Sequence, residues 1–79
     1  MKSYEVVAAW DEEARVWVAT SDDIPGLVTE AESQDSLIAR LQAIVPELLE
    51  MNSHLLANPG SDNEFLIHWT QDQRVRMFA

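Results

Sequence analysis

Three sets of residues in this 79-residue chain have types and spacings that bear on chemistry: two acidic turns, two histidines and three tryptophans. Asp11-Glu12-Glu13 and Asp22-Asp23 are dense in carboxylates, the groups that two-metal phosphoryl chemistry requires. That chemistry needs several carboxylates converging on divalent ions ~4 Å apart, each metal clamping an oxygen of an in-line displacement. Both clusters fall in expected turns, and the expected strand interiors add only Glu5, Glu30 and Glu32, so the acids read first as solvated turn residues. His54 follows a helical apolar stripe and His68 alternates with Ile67 and Trp69. Neither has a second histidine or a cysteine at metal-ligand spacing, and both read as structural or exposed. Both glycines serve turn-like segments, which leaves no phosphate-cradling loop. There is no Ser-His-Asp constellation, and no cysteine to act as a nucleophile. The chain is therefore expected to be non-enzymatic, with no cofactor and no bound metal. Trp10, Trp17 and Trp69 suit interface hot spots, yet a tryptophan in a small sheet more often buries itself, and packing is the reading favoured for each.

The elements that position these residues follow from periodicity and turn chemistry. Residues 4–10 and 16–20 alternate in Val-, Ala- and Trp-rich runs separated by Asp11-Glu12-Glu13-Ala14, which predicts an antiparallel hairpin. Val16 and Val18 oppose Trp17 across that second strand, so one of the two sets must face away from the core. If it is the tryptophan, the outer sheet face carries an exposed anchor. Pro25 pushes Ile24 into an extended conformation and Gly26 tolerates φ > 0, so Pro25-Gly26 suits the centre of a type II turn leading into a third strand over 27–32. Glu30 and Glu32 on one side of that strand predict a face that meets water. Ser33 is the expected N-cap of a helix carrying Leu37, Ile38, Leu41, Ile44, Val45, Leu48 and Leu49 at helical spacing. Pro46 lies inside the stripe and predicts a kink or a break, the continuing stripe favouring the kink. Asn58-Pro59-Gly60-Ser61-Asp62-Asn63 breaks structure as a loop, and residues 65–70 read as a fourth strand. Arg74-Val75-Arg76-Met77-Phe78 follows as a fifth strand in a hairpin, or as part of one long bent strand that forms a dimer arm; the arm residues are Arg74, Val75, Arg76 and Phe78. The expected class is α+β: a three-stranded antiparallel meander plus a C-terminal strand, with one long helix on one sheet face.

Length and charge narrow the function classes. A domain of this size buries only roughly 60–65% of the surface of its unfolded chain, and without cysteines no disulfide supplements the core, which makes self-association a reasonable expectation. No leader-like start and no apolar run of membrane-spanning length is present, so a soluble, cytoplasmic chain is expected. The formal net charge is -9. Residues 1–64 hold thirteen acidic and three basic side chains, a net -10, whereas residues 65–79 hold Asp72, Arg74 and Arg76. Such a body repels phosphate backbones and attracts basic partners, which argues against nucleic-acid binding and for a cationic protein ligand.

Trp10-Asp11, Val16-Trp17-Val18-Ala19, Asp22-Asp23-Ile24-Pro25-Gly26-Leu27, Thr29-Glu30-Ala31 and Pro46-Glu47-Leu48-Leu49, in this order, resemble the HicB-like antitoxin family over residues 4–52, and most closely a branch of short domains within it. The resemblance implies a β-β-β-α-β, partial ribonuclease-H-like fold for residues 1–79 as one domain. It also implies a non-catalytic module that binds and occludes a small basic HicA-type RNase toxin. Asp11, Glu12, Glu13, Trp17, Asp22 and Asp23 are then the candidate partner-binding residues. Residues 65–79 are too few for the helix-turn-helix or ribbon-helix-helix of longer antitoxins beside a fourth strand, so no separate DNA-binding domain is expected. The first turn also lacks the glycine common in such relatives. An orphan homodimeric structural or regulatory domain is the alternative, and a metal-dependent ribonuclease-H-like nuclease a more distant one.

Overall fold

The computed structural model describes residues 2–52 and 63–78. In chain order the elements are β1 (Lys2–Asp11), β2 (Val16–Thr20), β3 (Val28–Ala31), α1 (Gln34–Met51) and β4 (Asn63–Thr70). The first three strands form the expected antiparallel meander, and β4 joins the far side of β1 in parallel, giving a mixed sheet of order β3-β2-β1-β4. A parallel partner for β1 requires a crossover, and α1 with its flanking segments supplies it. The fold is thus α+β, with β4 starting at Asn63, a residue expected in the preceding loop. His54 and the rest of that loop lie outside the described residues.

Alternation sorts the strands into two faces. Tyr4, Val6 and Ala8 of β1, Trp17 and Ala19 of β2 and Ala31 of β3 are buried, and Phe65, Ile67 and Trp69 of β4 pack partly against them. Against this face α1 presents Leu37, Leu41, Val45 and Leu49, all buried, with Ile44 and Leu48 partly so. Trp17 stands edge-on to Trp10 (centroids 5.3 Å apart) and to Trp69 (5.1 Å). It reaches Trp69 across β1 because the intervening residue, Ala8, which pairs with both Ala19 and Trp69, carries only a methyl group.

Local chemistry explains the helix limits. Ser33 is extended (φ -134°, ψ 163°), and its hydroxyl accepts the Ser36 N–H, an orphan donor of the first turn, at 3.0 Å. At the other end the Asn52 N–H and its Nδ2 both donate to the Leu48 carbonyl. Pro46 does not break α1, which runs through it as one element. The carbonyl that Pro46 leaves without its helical donor belongs to Gln42; both residues are exposed, so water can take that donor's place.

The expected fifth strand does not form. Residues 71–78 take no regular structure and every one is exposed. A strand needs a neighbour to satisfy its backbone, and the described chain places none beside this segment.

Candidate partner-binding surface

The two acidic turns do not meet. The first closes the β1–β2 hairpin beyond the Asp11↔Val16 pair, whereas the second follows β2 and touches Glu5 near the opposite end of β1. Six residue steps along the strand separate Asp11 from Glu5, roughly 20 Å at strand rise. The candidate partner-binding acids therefore lie at two separate ends of the sheet.

Much of this carboxylate is already engaged. Asp11 Oδ1 accepts the Glu13 and Ala14 N–H groups at 3.0 and 3.1 Å, holding the turn. Glu12 accepts from Trp10 Nε1 at 2.7 Å and pairs with Arg15 at 3.2 Å. Arg15 has φ 60°, occupying the left-handed position that a glycine would take without strain. At the other end, Asp23 Oδ2 accepts the Glu5 N–H at 2.8 Å, and the Ser21 hydroxyl donates to the Glu5 carbonyl. Beyond the last β1–β2 pair, Val7↔Thr20, these two side chains thus supply the hydrogen bonds a neighbouring strand would make. Ser21 Oγ also accepts the Asp23 and Ile24 N–H groups. Glu13 and Asp22 are exposed, and their side chains show no such bonds among the described residues.

The Ile24-Pro25-Gly26-Leu27 turn is a packing device. Leu27 N–H donates to the Ile24 carbonyl at 3.2 Å and Gly26 has φ 83°, the geometry expected for Pro25-Gly26 at the centre of a type II turn. Ile24 and Leu27 are buried, and a Cβ on Gly26 would lie 3.6 Å from Leu48, so the turn sits against the C-terminal half of α1. Asn52 Nδ2 also donates to the Pro25 carbonyl at 3.4 Å.

Trp17 is not an exposed anchor: only 7% of it is accessible, because its strand parity directs it to the helix side and two tryptophans flank it. Val16 and Val18 are the set that faces away. With them on the outer face stand Glu5, Val7, Ala9, Thr20, Val28, Glu30, Leu66 and His68, aligned by the strand pairings. No described element covers this face. Val28 is 73% exposed and Leu66 53%. His68 Nε2 and Glu5 Oε1 meet across it at 3.3 Å. The sequence does not single this face out, because the two alternating sets of β1, Tyr4-Val6-Ala8 and Val7-Ala9, are both apolar.

Two shallow cavities flank Trp10. One, of about 430 Å³, lies between Trp10, Trp17 and the start of α1; Glu32 and Asp35 at its wall oppose any anion drawn to the helix N-terminus. The other, of about 550 Å³, lies between Trp10, Glu12 and residues 72–74. Among the described residues no three His, Cys, Asp or Glu side chains gather as a metal site. Arg74, Val75, Arg76 and Phe78 lie in the exposed C-terminal segment, where Val75 is 74% exposed and Phe78 92%.

Comparison with known proteins yields two matches. The DUF1902 family, described as a domain of unknown function, matches residues 3–79. A solved structure of the hypothetical protein TTHA1013, from the extremely thermophilic bacterium Thermus thermophilus, is 41% identical. The match covers 96% of this chain and all of that one, with a TM-score of 0.69. No curated protein matches the chain.

Proposed function

The chain belongs to the DUF1902 family, and from that premise we propose that it is a non-catalytic, antitoxin-type binding module whose open sheet face holds a small basic protein, an RNase toxin of the HicA type. The observation that carries this reading is the outer face itself: Val7, Val28 and Leu66 stand exposed on it among Glu5, Glu30 and His68, with an acidic turn at each end. A partner seated there would bury these exposed apolar side chains, while the acidic ends draw it in and fix its orientation. The net charge of -10 over residues 1–64 supports a basic occupant. The strand order β3-β2-β1-β4, with the helical crossover from β3 to β4, supports the finer description of the fold as a partial ribonuclease-H-like domain. The proposed site of action is the cytoplasm, where an RNase toxin would meet its substrate.

Exposed charges at an interface act mainly on encounter, so association is expected to slow as salt rises. Glu13 and Asp22 are the residues to neutralise, since Asp11, Glu12 and Asp23 also hold the fold. The deciding experiment is a search of the neighbouring reading frames for a small basic protein, whose absence also counts against the proposal, then its co-expression with this chain and an RNA-cleavage assay. Suppressed cleavage and a stable complex are the expected result. Cleavage that proceeds unchanged in the presence of folded chain overturns the proposal.

A further inference from the structure

We propose that residues 71–78 form an arm that adds, antiparallel, to the free edge of β4 in a second copy of this chain, with the exchange reciprocated about a twofold axis at Thr70 or Gln71. This goes beyond the toxin-binding reading and does not depend on it, because it uses the sheet edge and not the open face.

Four observations converge. First, β4 is an edge strand: β1 pairs with one side of it, and among the described residues no strand pairs with the other. A run of eight residues with unpaired backbone groups is a template for strand addition, whereas the opposite edge, β3, offers only four. Second, residues 71–78 follow β4 directly, take no regular structure, and are long enough to run its whole length. They also leave Met77 and Phe78 each 92% exposed, which a chain acting alone gains nothing by doing.

Third, the parity fits. On β4, Phe65, Ile67 and Trp69 are half-buried on the helix side, while Glu64, Leu66 and His68 are exposed on the other. If that alternation continues, Val75 and Met77 fall on the helix side and Arg74, Arg76 and Phe78 on the outer side. A perpendicular twofold axis keeps each face on its own side, so Val75 and Met77 of one copy come to lie beside Phe65 and Ile67 of the other. Those side chains are half-buried now because their flank is open. On the outer face the arginines then lie along the strand carrying Glu64. Fourth, charge agrees: the arm holds two of the chain's five basic residues, and the body it would join carries -10.

The cysteine-free sequence makes the test direct. Light scattering on the full chain is expected to give twice the 9.0 kDa of a single chain, and a chain truncated after Thr70 is expected to give the mass of one truncated copy. A Val75→Asp/Met77→Asp variant, altered only at residues exposed in the single chain, is expected to give the single mass while keeping its circular-dichroism spectrum. Gln71→Cys, close to the proposed axis, is expected to cross-link two copies on mild oxidation far faster than Gln42→Cys on the exposed face of α1. A full chain that stays monomeric at millimolar concentration overturns the arm. So does a dimer that survives both the truncation and the aspartate pair.

Discussion

The two faces of this sheet are built from alternate residues of the same four strands, yet they have opposite fates. On one, Tyr4, Val6, Ala8, Trp17 and Ala19 meet Leu37, Leu41, Val45 and Leu49 of α1 and exclude water. On the other, Val7, Val28 and Leu66 remain exposed among Glu5, Glu30 and His68. Hydrophobicity alone does not separate them, since valines and alanines occur on both. What separates them is cover: among the described residues one helix lies between β3 and β4, and it packs on one side. The covered face therefore holds the stability of the domain, and the bare face is the one proposed for recognition.

The largest expected effect tests the covered side. Leu41 is fully buried, and Leu41→Ala should cost about 2–5 kcal/mol, lost transfer energy plus cavity. In a domain of this size that can be most of the stability, so urea denaturation should show a folded baseline that is short or absent. Gly26→Ala comes next, at about 1–2 kcal/mol. Space is not the reason, as the added Cβ meets Leu48 at an ordinary 3.6 Å; the cost arises because alanine must hold φ 83°. A loss smaller than that of an exposed surface substitution would show that the turn does not constrain the helix.

Neighbouring acids sharpen the contrast between structural and recognition residues. Asp23→Ala removes the acceptor of the Glu5 N–H and should lower stability by about 1 kcal/mol, whereas Asp22→Ala should leave the melting midpoint nearly unchanged. Equal losses would mean that the Ser21–Asp23 cap on β1 contributes nothing. Arg15→Gly should raise stability, by less than about 1 kcal/mol: relief of the left-handed backbone is partly offset by the freer unfolded chain and the lost Glu12 pair. The smallest effect belongs to the bare face, where Val28→Glu and Leu66→Glu should each change stability by no more than about 0.5 kcal/mol.

Much of the architecture is legible in the sequence because local rules and tertiary packing agree. Pro25-Gly26 dictates its turn, Ser33 caps its helix, and the stripe from Leu37 to Leu49 finds the core. Where the sequence reading departs from the structure, the missing information is long-range. The parity of Trp17 depends on which face the helix covers, a choice that β2 alone does not encode because valines and tryptophan are both apolar. The candidate partner-binding acids form one set in a linear reading, but the length of β1 sets the two turns apart. Asp23 looks like a solvated turn acid until its hydrogen bond to a residue eighteen positions earlier is seen. Of the two outcomes that Pro46 allows, the break is the one that does not occur: the helix continues, and the carbonyl left without a donor is on an exposed residue.

The measurement closest to the central claim, that the bare face is the recognition surface, is a titration of the RNA-cleaving activity of the basic protein that the proposal expects in a neighbouring reading frame. It compares the native chain with a Val28→Glu/Leu66→Glu double variant of matched melting midpoint. The account predicts that the native chain suppresses cleavage at stoichiometric amounts, and that the folded variant needs at least a hundredfold more. Equal suppression by the two would contradict it.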